Sequence, residues 1–187
     1  VKQMKTAPGL EDARKAAASG KYDIFPVSCE ILSDFTTPIE TMKRLKTVSK
    51  HCYMLESARA DEVWGRYTFL GFDPEMEITC VGGTVNGVLD AGRMKYVTGN
   101  PSEYIRKVLS SHRSPRIAGL PPFTGGLVGY FSYDFIGYSE PAARTDAEDT
   151  EKFRDVDLML FDRVIAFDNV RQKIVLIVNM SLEDPET

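Results

Sequence analysis

"EMEITCVGGTVNGVLDAGRMKYVTG" spans residues 75–99, alternates apolar with polar residues, and carries three turn signals: Gly82-Gly83, Asn86-Gly87 and Ala91-Gly92. A period of two marks a strand, and short glycine-bearing breaks between such runs mark hairpin turns. The stretch therefore predicts an antiparallel meander. Working outward, "CYMLES" (52–57) reads as a strand, "ARADEVWG" (58–65) as a turn or loop, and "RYTFLGF" (66–72) as the hairpin partner of the first. "DIFPVSCEIL" (23–32) is extended, with Pro26 at an edge position or a strand start. "FTGGLVGYFSYDF" (123–135) is a glycine-rich strand or pair of strands, flanked by loops at 113–122 and 136–154. "VDLMLFDRVIAFD" (156–168) and "KIVLIVNM" (173–180) are two apolar strands, joined near Asp168-Asn169 as a hairpin.

Three helices accompany these strands. Residues 9–19 place acidic residues first and a basic one later, in accord with the helix dipole, and Gly20 stops the run. Residues 37–50 start on Thr37 as N-cap, Pro38 at N1 and Glu40 at N3, with Ile39, Met42, Leu45 and Lys46 as the inward stripe. Residues 100–112 repeat the device with Asn100, Pro101 and Glu103. The sum is an α+β fold: antiparallel β-sheet with flanking helices, not an alternating doubly wound one. The last hairpin is apolar along its whole length, and a strand apolar on both faces needs cover on both sides. The chain is thus expected to be incomplete or to need a partner, and that hairpin offers a surface for homodimerisation.

The 187 residues are ample for a core, and 43% hydrophobic with 27% charged residues excludes wholesale disorder. A formal net charge of -4 argues against a dedicated nucleic-acid binder. No apolar leader opens the chain and no apolar run is long enough to span a membrane, so a cytoplasmic protein is expected. Cys29, Cys52 and Cys80 are far apart with no C-x-x-C pair, which excludes a zinc site of that kind and suits reduced, buried thiols. His51 and His112 are too isolated for a metal cluster. Cys52 beside His51 is no nucleophile pair, because strand neighbours point to opposite faces. "GGTVNG" and "GGLVGY" match neither phosphate-binding pattern; glycines in strands more often mark bulges or close backbone approach. In "YFSYD" (130–134), Tyr130, Ser132 and Asp134 would share one strand face, with Asp134 capping a turn or pairing with an arginine.

"LES" (55–57) stands out, because a carboxylate and a hydroxyl close an apolar strand. Burying them without partners would be costly. Arg66 lies across the expected hairpin and is a candidate partner for Glu56. Two readings stay open: a salt bridge at the strand terminus, or a pocket for a zwitterion.

"YMLES", "GRYTFLGFDP", "PPFTGGLVGYFSYD" and "DLMLFDRVIAFD", in this order and spacing, resemble the N-terminal region of anthranilate synthase component I. That family's usual pattern is Leu-Leu-Glu-Ser, Gly-Arg-Tyr-Ser-Phe-Ile-Gly and Gly-Gly-x-x-Gly-Tyr-x-x-Tyr-Asp. The segment "ILSDFTTPIETMKRL" resembles the family's stretch before the first strand, and the likeness covers roughly residues 22 to 180. It implies an N-terminal helical segment at 1–21, an N-terminal domain at 22–187, and a C-terminal chorismate-binding domain that this chain lacks. The implied fold is half of a layered α/β/β/α architecture. The implied activity belongs to the whole protein, a lyase that makes anthranilate from chorismate. It takes ammonia from a glutamine amidotransferase subunit, component II, and uses Mg²⁺.

On that resemblance the chain holds no catalytic residue and is inactive alone. It carries half of the tryptophan feedback site: Leu55, Glu56 and Ser57, with Pro38 and Arg66 at further matching positions. Glu56 would meet the α-ammonium, and Ser57 would offer a hydroxyl and an N–H. Two residues in succession on a regular strand cannot both aim into one pocket, so the strand is expected to break at Glu56 or one residue acts through its backbone. With the other half of the site elsewhere, the chain alone is expected to bind tryptophan weakly or not at all. The intact "LES" favours this family over its sister, aminodeoxychorismate synthase component I. A free-standing binding module is the remaining alternative.

Overall fold

The computed structural model describes residues 5–57, 65–89, 92–143 and 150–183. In chain order it contains β1 (Thr6–Ala7), α1 (Leu10–Ala18), β2 (Ile24–Leu32), α2 (Pro38–Val48), β3 (Cys52–Leu55) and β4 (Tyr67–Phe72). There follow β5 (Met76–Val81), β6 (Thr84–Leu89), β7 (Gly92–Val97), α3 (Pro101–Ser110) and β8 (Gly126–Phe131). Two 3₁₀ turns, Tyr133–Tyr138 and Pro141–Ala143, precede β9 (Val156–Phe161), β10 (Arg163–Asp168) and β11 (Lys173–Ser181). The expected α+β class with antiparallel sheets and flanking helices is what forms. The loop read at 58–65 lies, but for Gly65, outside the described residues, as do 90 and 91 of the Ala91-Gly92 turn.

The chain divides into two compact units. The first takes the described residues up to Pro74, His112–Gly125 and those from Phe161 onward. Its sheet has the order β1-β2-β11-β10-β4-β3, and every ladder in it is antiparallel. Helix α2 starts as expected: Thr37 Oγ1 accepts the Glu40 N–H at 3.2 Å, and Pro38 fills the first turn, where its missing donor does no harm. Its Met42 and Leu45 pack on Cys52, Met54, Leu70, Phe72, Phe167 and Ile174. Ile39 stays 59% exposed and Lys46 is exposed, so the inward stripe is narrower than the sequence predicts. The opposite face of the same strands, Phe69, Val164, Ala166, Val175 and Ile177, is covered by Leu120 and Phe123 of the preceding loop.

This two-sided cover corrects the expectation of a bare apolar hairpin. Val164, Ala166, Phe167, Ile174 and Ile177 are each 3% exposed or less, buried by the chain's own α2 and loop. The buried apolar residues of β10 and β11 are thus covered within the first unit, while Val170 and Val178 stay about half exposed. A second correction concerns 156–168, which is two strands rather than one. β9 pairs with β5 in the second sheet, whereas β10 pairs with β4 and β11 in the first. Pro26 does sit at an edge: β1 reaches only Ser28 and Cys29, so among the described residues the start of β2 has β11 as its one neighbour.

Helix α1 buries Ala13 against Phe25 and Leu182. At the head of β2, Asp23 takes a two-pronged bond from Arg113, Nε and Nη2 each at 2.8 Å, and the Arg113 N–H at 2.8 Å. These bonds hold the Asp23 carboxyl down at about 2, against an ordinary 3.8. A depressed folded-state pKa stabilises the fold above the unfolded value and loses that contribution as pH falls through the folded one. Asp23→Asn should therefore flatten the loss of stability between pH ~3.9 and ~2, read from urea midpoints across that window. An unchanged acid limb would show that the contact is cancelled by solvent.

The second unit comprises Glu75–Ser111 and Gly126–Leu160, with a sheet in the order β7-β6-β5-β9-β8. α3 lays Tyr104, Ile105 and Val108 on Ile78, Cys80, Val85, Val156 and Leu158. The meander forms with one change. Gly82 and Gly83, both at positive φ (54° and 77°), make the two-residue turn between Val81 and Thr84. Asn86-Gly87 is no turn: Asn86 pairs with Thr79 and Lys95, and Gly87 with Ile78 and Met94, in the middle of β6.

Gly129 shows why the glycine-rich motif is rich in glycine. Its φ is 156°, and a β-carbon there would lie 1.9 Å from the Asp157 carbonyl oxygen. The obstacle is backbone and cannot swing aside. Gly129→Ala should destabilise the chain by about 3 kcal/mol, the upper end of ordinary overpacking. Gly99→Ala, with nothing within 4 Å of the new carbon, is the control and should shift the urea midpoint little. Equal midpoints for the two variants would contradict the close approach.

Candidate functional site

β3 forms the edge of the first sheet, and its ladder with β4 ends at Leu55, paired with Phe69. The strand is thus two residues shorter than "CYMLES" suggests. Glu56 and Ser57 follow it outside the ladder, and Leu55, Glu56 and Ser57 are all exposed. This removes the geometric objection to the pair, because strand alternation no longer dictates where either side chain points. The ring of Tyr53, two residues earlier, packs edge-on against Phe161 at 4.8 Å and Phe123 at 6.5 Å, which anchors β3.

Arg66 enters just before β4. The sequence offers Glu56 as its partner, but the structure gives it Asp168, at the end of β10. Arg66 Nη2 donates to Asp168 Oδ2 at 2.7 Å, and Nε lies 3.2 and 3.3 Å from the two oxygens. Oδ1 also accepts the N–H groups of Arg171 and Val170 at 3.0 and 3.2 Å. Asp168 is only 4% exposed. Burial works to raise its pKa, yet the Arg66 bond, the two N–H groups and the nearby guanidinium charge outweigh that and hold it below the ordinary range. Asn169 completes the joint: its N–H meets the Arg66 carbonyl at 2.8 Å, and its Nδ2 meets the Gly65 carbonyl at 3.3 Å. Among the described residues Glu56 forms no ion pair.

Pro38 lines a depression of about 200 Å³ together with Ser33, Thr37, Asp168, Asn169 and Lys173. The structure therefore brings Pro38 to the Arg66–Asp168 pair. It leaves Leu55, Glu56 and Ser57 at the strand end, outside that depression. In the sequence Asp168 and Asn169 mark only a hairpin turn. Their partners stand about a hundred positions earlier in the chain, and no local pattern carries that information.

A second polar cluster also lacks a local signal. In the second unit the Tyr138 hydroxyl donates to Asp155 Oδ2 at 2.6 Å and accepts the Gly83 N–H at 2.6 Å. The Gly82 N–H meets the same Asp155 oxygen at 2.7 Å. Burial, then the bond to Asp155, pushes the Tyr138 hydroxyl well above its usual range, so it stays a donor. The strand face expected for Tyr130, Ser132 and Asp134 does not continue past Phe131, because Tyr133–Tyr138 turns into a 3₁₀ helix.

Cys80 is buried, while Cys29 and Cys52 are half-buried, and all three are free thiols. Among the described residues no three His, Cys, Asp or Glu side chains come together to hold a metal ion. No described helix is long and apolar enough to cross a membrane.

No protein-family model matches the chain. Curated relatives do. Anthranilate synthase component 1 of Acetivibrio thermocellus is 33% identical over 92% of this chain and 34% of its own length. The protein of the same name from Acinetobacter calcoaceticus is 35% identical over 88% of this chain and 34% of its own. That from Pseudomonas aeruginosa is 34% identical over 94% and 35%. The chain thus spans about a third of the length of the curated relatives it matches. Among solved structures, anthranilate synthase component I from Streptococcus pneumoniae superposes with a TM-score of 0.51 at 26% identity, covering 84% of this chain and 32% of that one.

Proposed function

The chain belongs to the anthranilate synthase component I family by homology over about nine-tenths of its residues, and we propose that it is the N-terminal regulatory and structural part of such an enzyme. The whole enzyme would convert chorismate to anthranilate and pyruvate, with ammonia drawn from glutamine by a component II amidotransferase. The chorismate-binding domain and its Mg²⁺ would lie in the remainder of the protein. The described residues of this chain do not fit a Mg²⁺ site, because they bring no ligand cluster together. On this reading the chain acts on the reaction indirectly.

Its own part is half of a feedback site for tryptophan, built from Leu55, Glu56, Ser57, Pro38 and Arg66. One observation carries this reading: β3 ends at Leu55, which releases an exposed carboxylate and hydroxyl, at Glu56 and Ser57, from the sheet. Glu56 meets the ammonium of the amino acid, and Ser57 meets its carboxylate through hydroxyl or N–H. Arg66 is a positioning residue: its guanidinium ties the start of β4 to the end of β10 beside Pro38. The activity is tested on the full-length protein supplied with chorismate, Mg²⁺ and ammonia. Release of 2-aminobenzoate and pyruvate is expected. Release of 4-amino-4-deoxychorismate would place the protein in the sister family, and no turnover would favour a non-catalytic module.

A further inference from the structure

The second unit holds an exposed aromatic group that the feedback reading does not use. Tyr130, Tyr133 and Phe153 are 40%, 89% and 62% exposed. The Tyr130 and Phe153 rings stand perpendicular, with centroids 6.3 Å apart. With Ser132, Asp134 and Asp155 they line a cavity of about 280 Å³. The Asp155 carboxylate is pinned there through its Oδ2 by Tyr138 and Gly82, and Asp134 has no ion pair or hydrogen bond among the described residues. Ser132 Oγ is shielded from solvent and also has no partner among them.

From this geometry we infer that the Tyr130–Tyr133–Phe153 cavity is a docking socket for one arginine side chain of a partner polypeptide. Charge selects a cation, since two carboxylates line the cavity and no basic side chain does among the described residues. Ring faces attract a cation as well, and a guanidinium stacks on them while its fork reaches a carboxylate. The volume falls below the roughly 300 Å³ at which small-molecule pockets begin, which suits one long side chain better than a metabolite. Exposed tyrosine and phenylalanine around such a socket have the composition of an interface centre. The inference stands on the second unit alone and is independent of the feedback site.

The test is titration of the 187-residue chain with N-acetyl-arginine N-methylamide, followed by the ring resonances of Tyr130 and Tyr133. The citrulline analogue, equal in shape but uncharged, runs in parallel. Saturable shifts with the arginine probe are expected, weakened about tenfold or more with citrulline, and likewise in Asp134→Asn and Tyr133→Ala. Tenfold corresponds to about 1.4 kcal/mol, within reach of a cation–π contact plus a charged hydrogen bond. Both variants lie at exposed positions, and their thermal midpoints should match the parent, which separates lost docking from lost folding. Equal affinity for citrulline, undiminished binding in Asp134→Asn, or no saturation up to the solubility limit of the probe would each overturn the inference.

Discussion

Arg66→Ala is expected to lower the stability of the chain by about 3 kcal/mol at neutral pH, the lower end for breaking a buried ion pair. The lower end applies because the Arg66 side chain is 29% exposed while that of Asp168 is 4% exposed, so one partner keeps some water. The loss comes mainly from Asp168, which would retain the N–H groups of Arg171 and Val170 but lose its countercharge. The penalty depends on pH. In the parent the Asp168 pKa is depressed, so its contribution is present above the unfolded value near 3.9 and fades as pH falls through the folded value. In the variant the Arg66 bond and charge no longer oppose burial and only the two N–H groups still do, so the folded pKa rises from its parent value. The penalty should then be fully present above that raised value and shrink as acid protonates the orphaned carboxyl. Urea unfolding at pH 7 and pH 4 reads both effects. A penalty that does not shrink on acidification would mean that lost packing, not charge, is responsible. Adding Asp168→Asn to the variant should recover part of the stability by removing the unpaired charge.

Much of this fold is legible in the sequence because its local signals agree with its global ones. Thr37-Pro38 and Asn100-Pro101 announce their helices, and both caps form. Gly82-Gly83 announces its hairpin. The misreadings have physical causes. Asn86-Gly87 is a strong turn dipeptide, yet β6 is paired on both sides by β5 and β7, and two ladders outweigh one local preference. Residues 156–168 look continuous because only Asp162-Arg163 separates the apolar runs 158–161 and 164–167, and one polar pair cannot signal that the chain leaves one sheet for another. Read from sequence, the apolar stretch at 156–180 asks for outside cover because sequence cannot show that α2 and the 112–125 loop cover the first sheet. In the site, "LES" and Arg66 are conspicuous residue types in conspicuous places. Asp168 is not, because its meaning depends on a contact 102 positions away.

Glu56→Ala in the full-length enzyme is expected to raise the tryptophan concentration that gives half inhibition roughly 10- to 100-fold. That range matches loss of a hydrogen bond to a charged group, about 1.5–3 kcal/mol. Glu56 is exposed and outside the β3–β4 ladder, so the change should leave folding intact. Turnover without tryptophan should stay within about twofold, because on the proposed reading Glu56 touches the inhibitor and not the reacting substrate. Ser57→Ala should act in the same direction more weakly, since its N–H survives the substitution. Arg66→Ala differs in kind: it should weaken inhibition and stability together, as a positioning residue does.

Whether the end of β3 holds tryptophan is decided by inhibition of the full-length enzyme by tryptophan, parent against Glu56→Ala, with uninhibited turnover and the thermal midpoint recorded on the same samples. A large rightward shift of the inhibition curve with turnover and midpoint unchanged is expected. An inhibition curve that superposes on the parent's would show that tryptophan is held elsewhere and that the end of β3 is not half of its site.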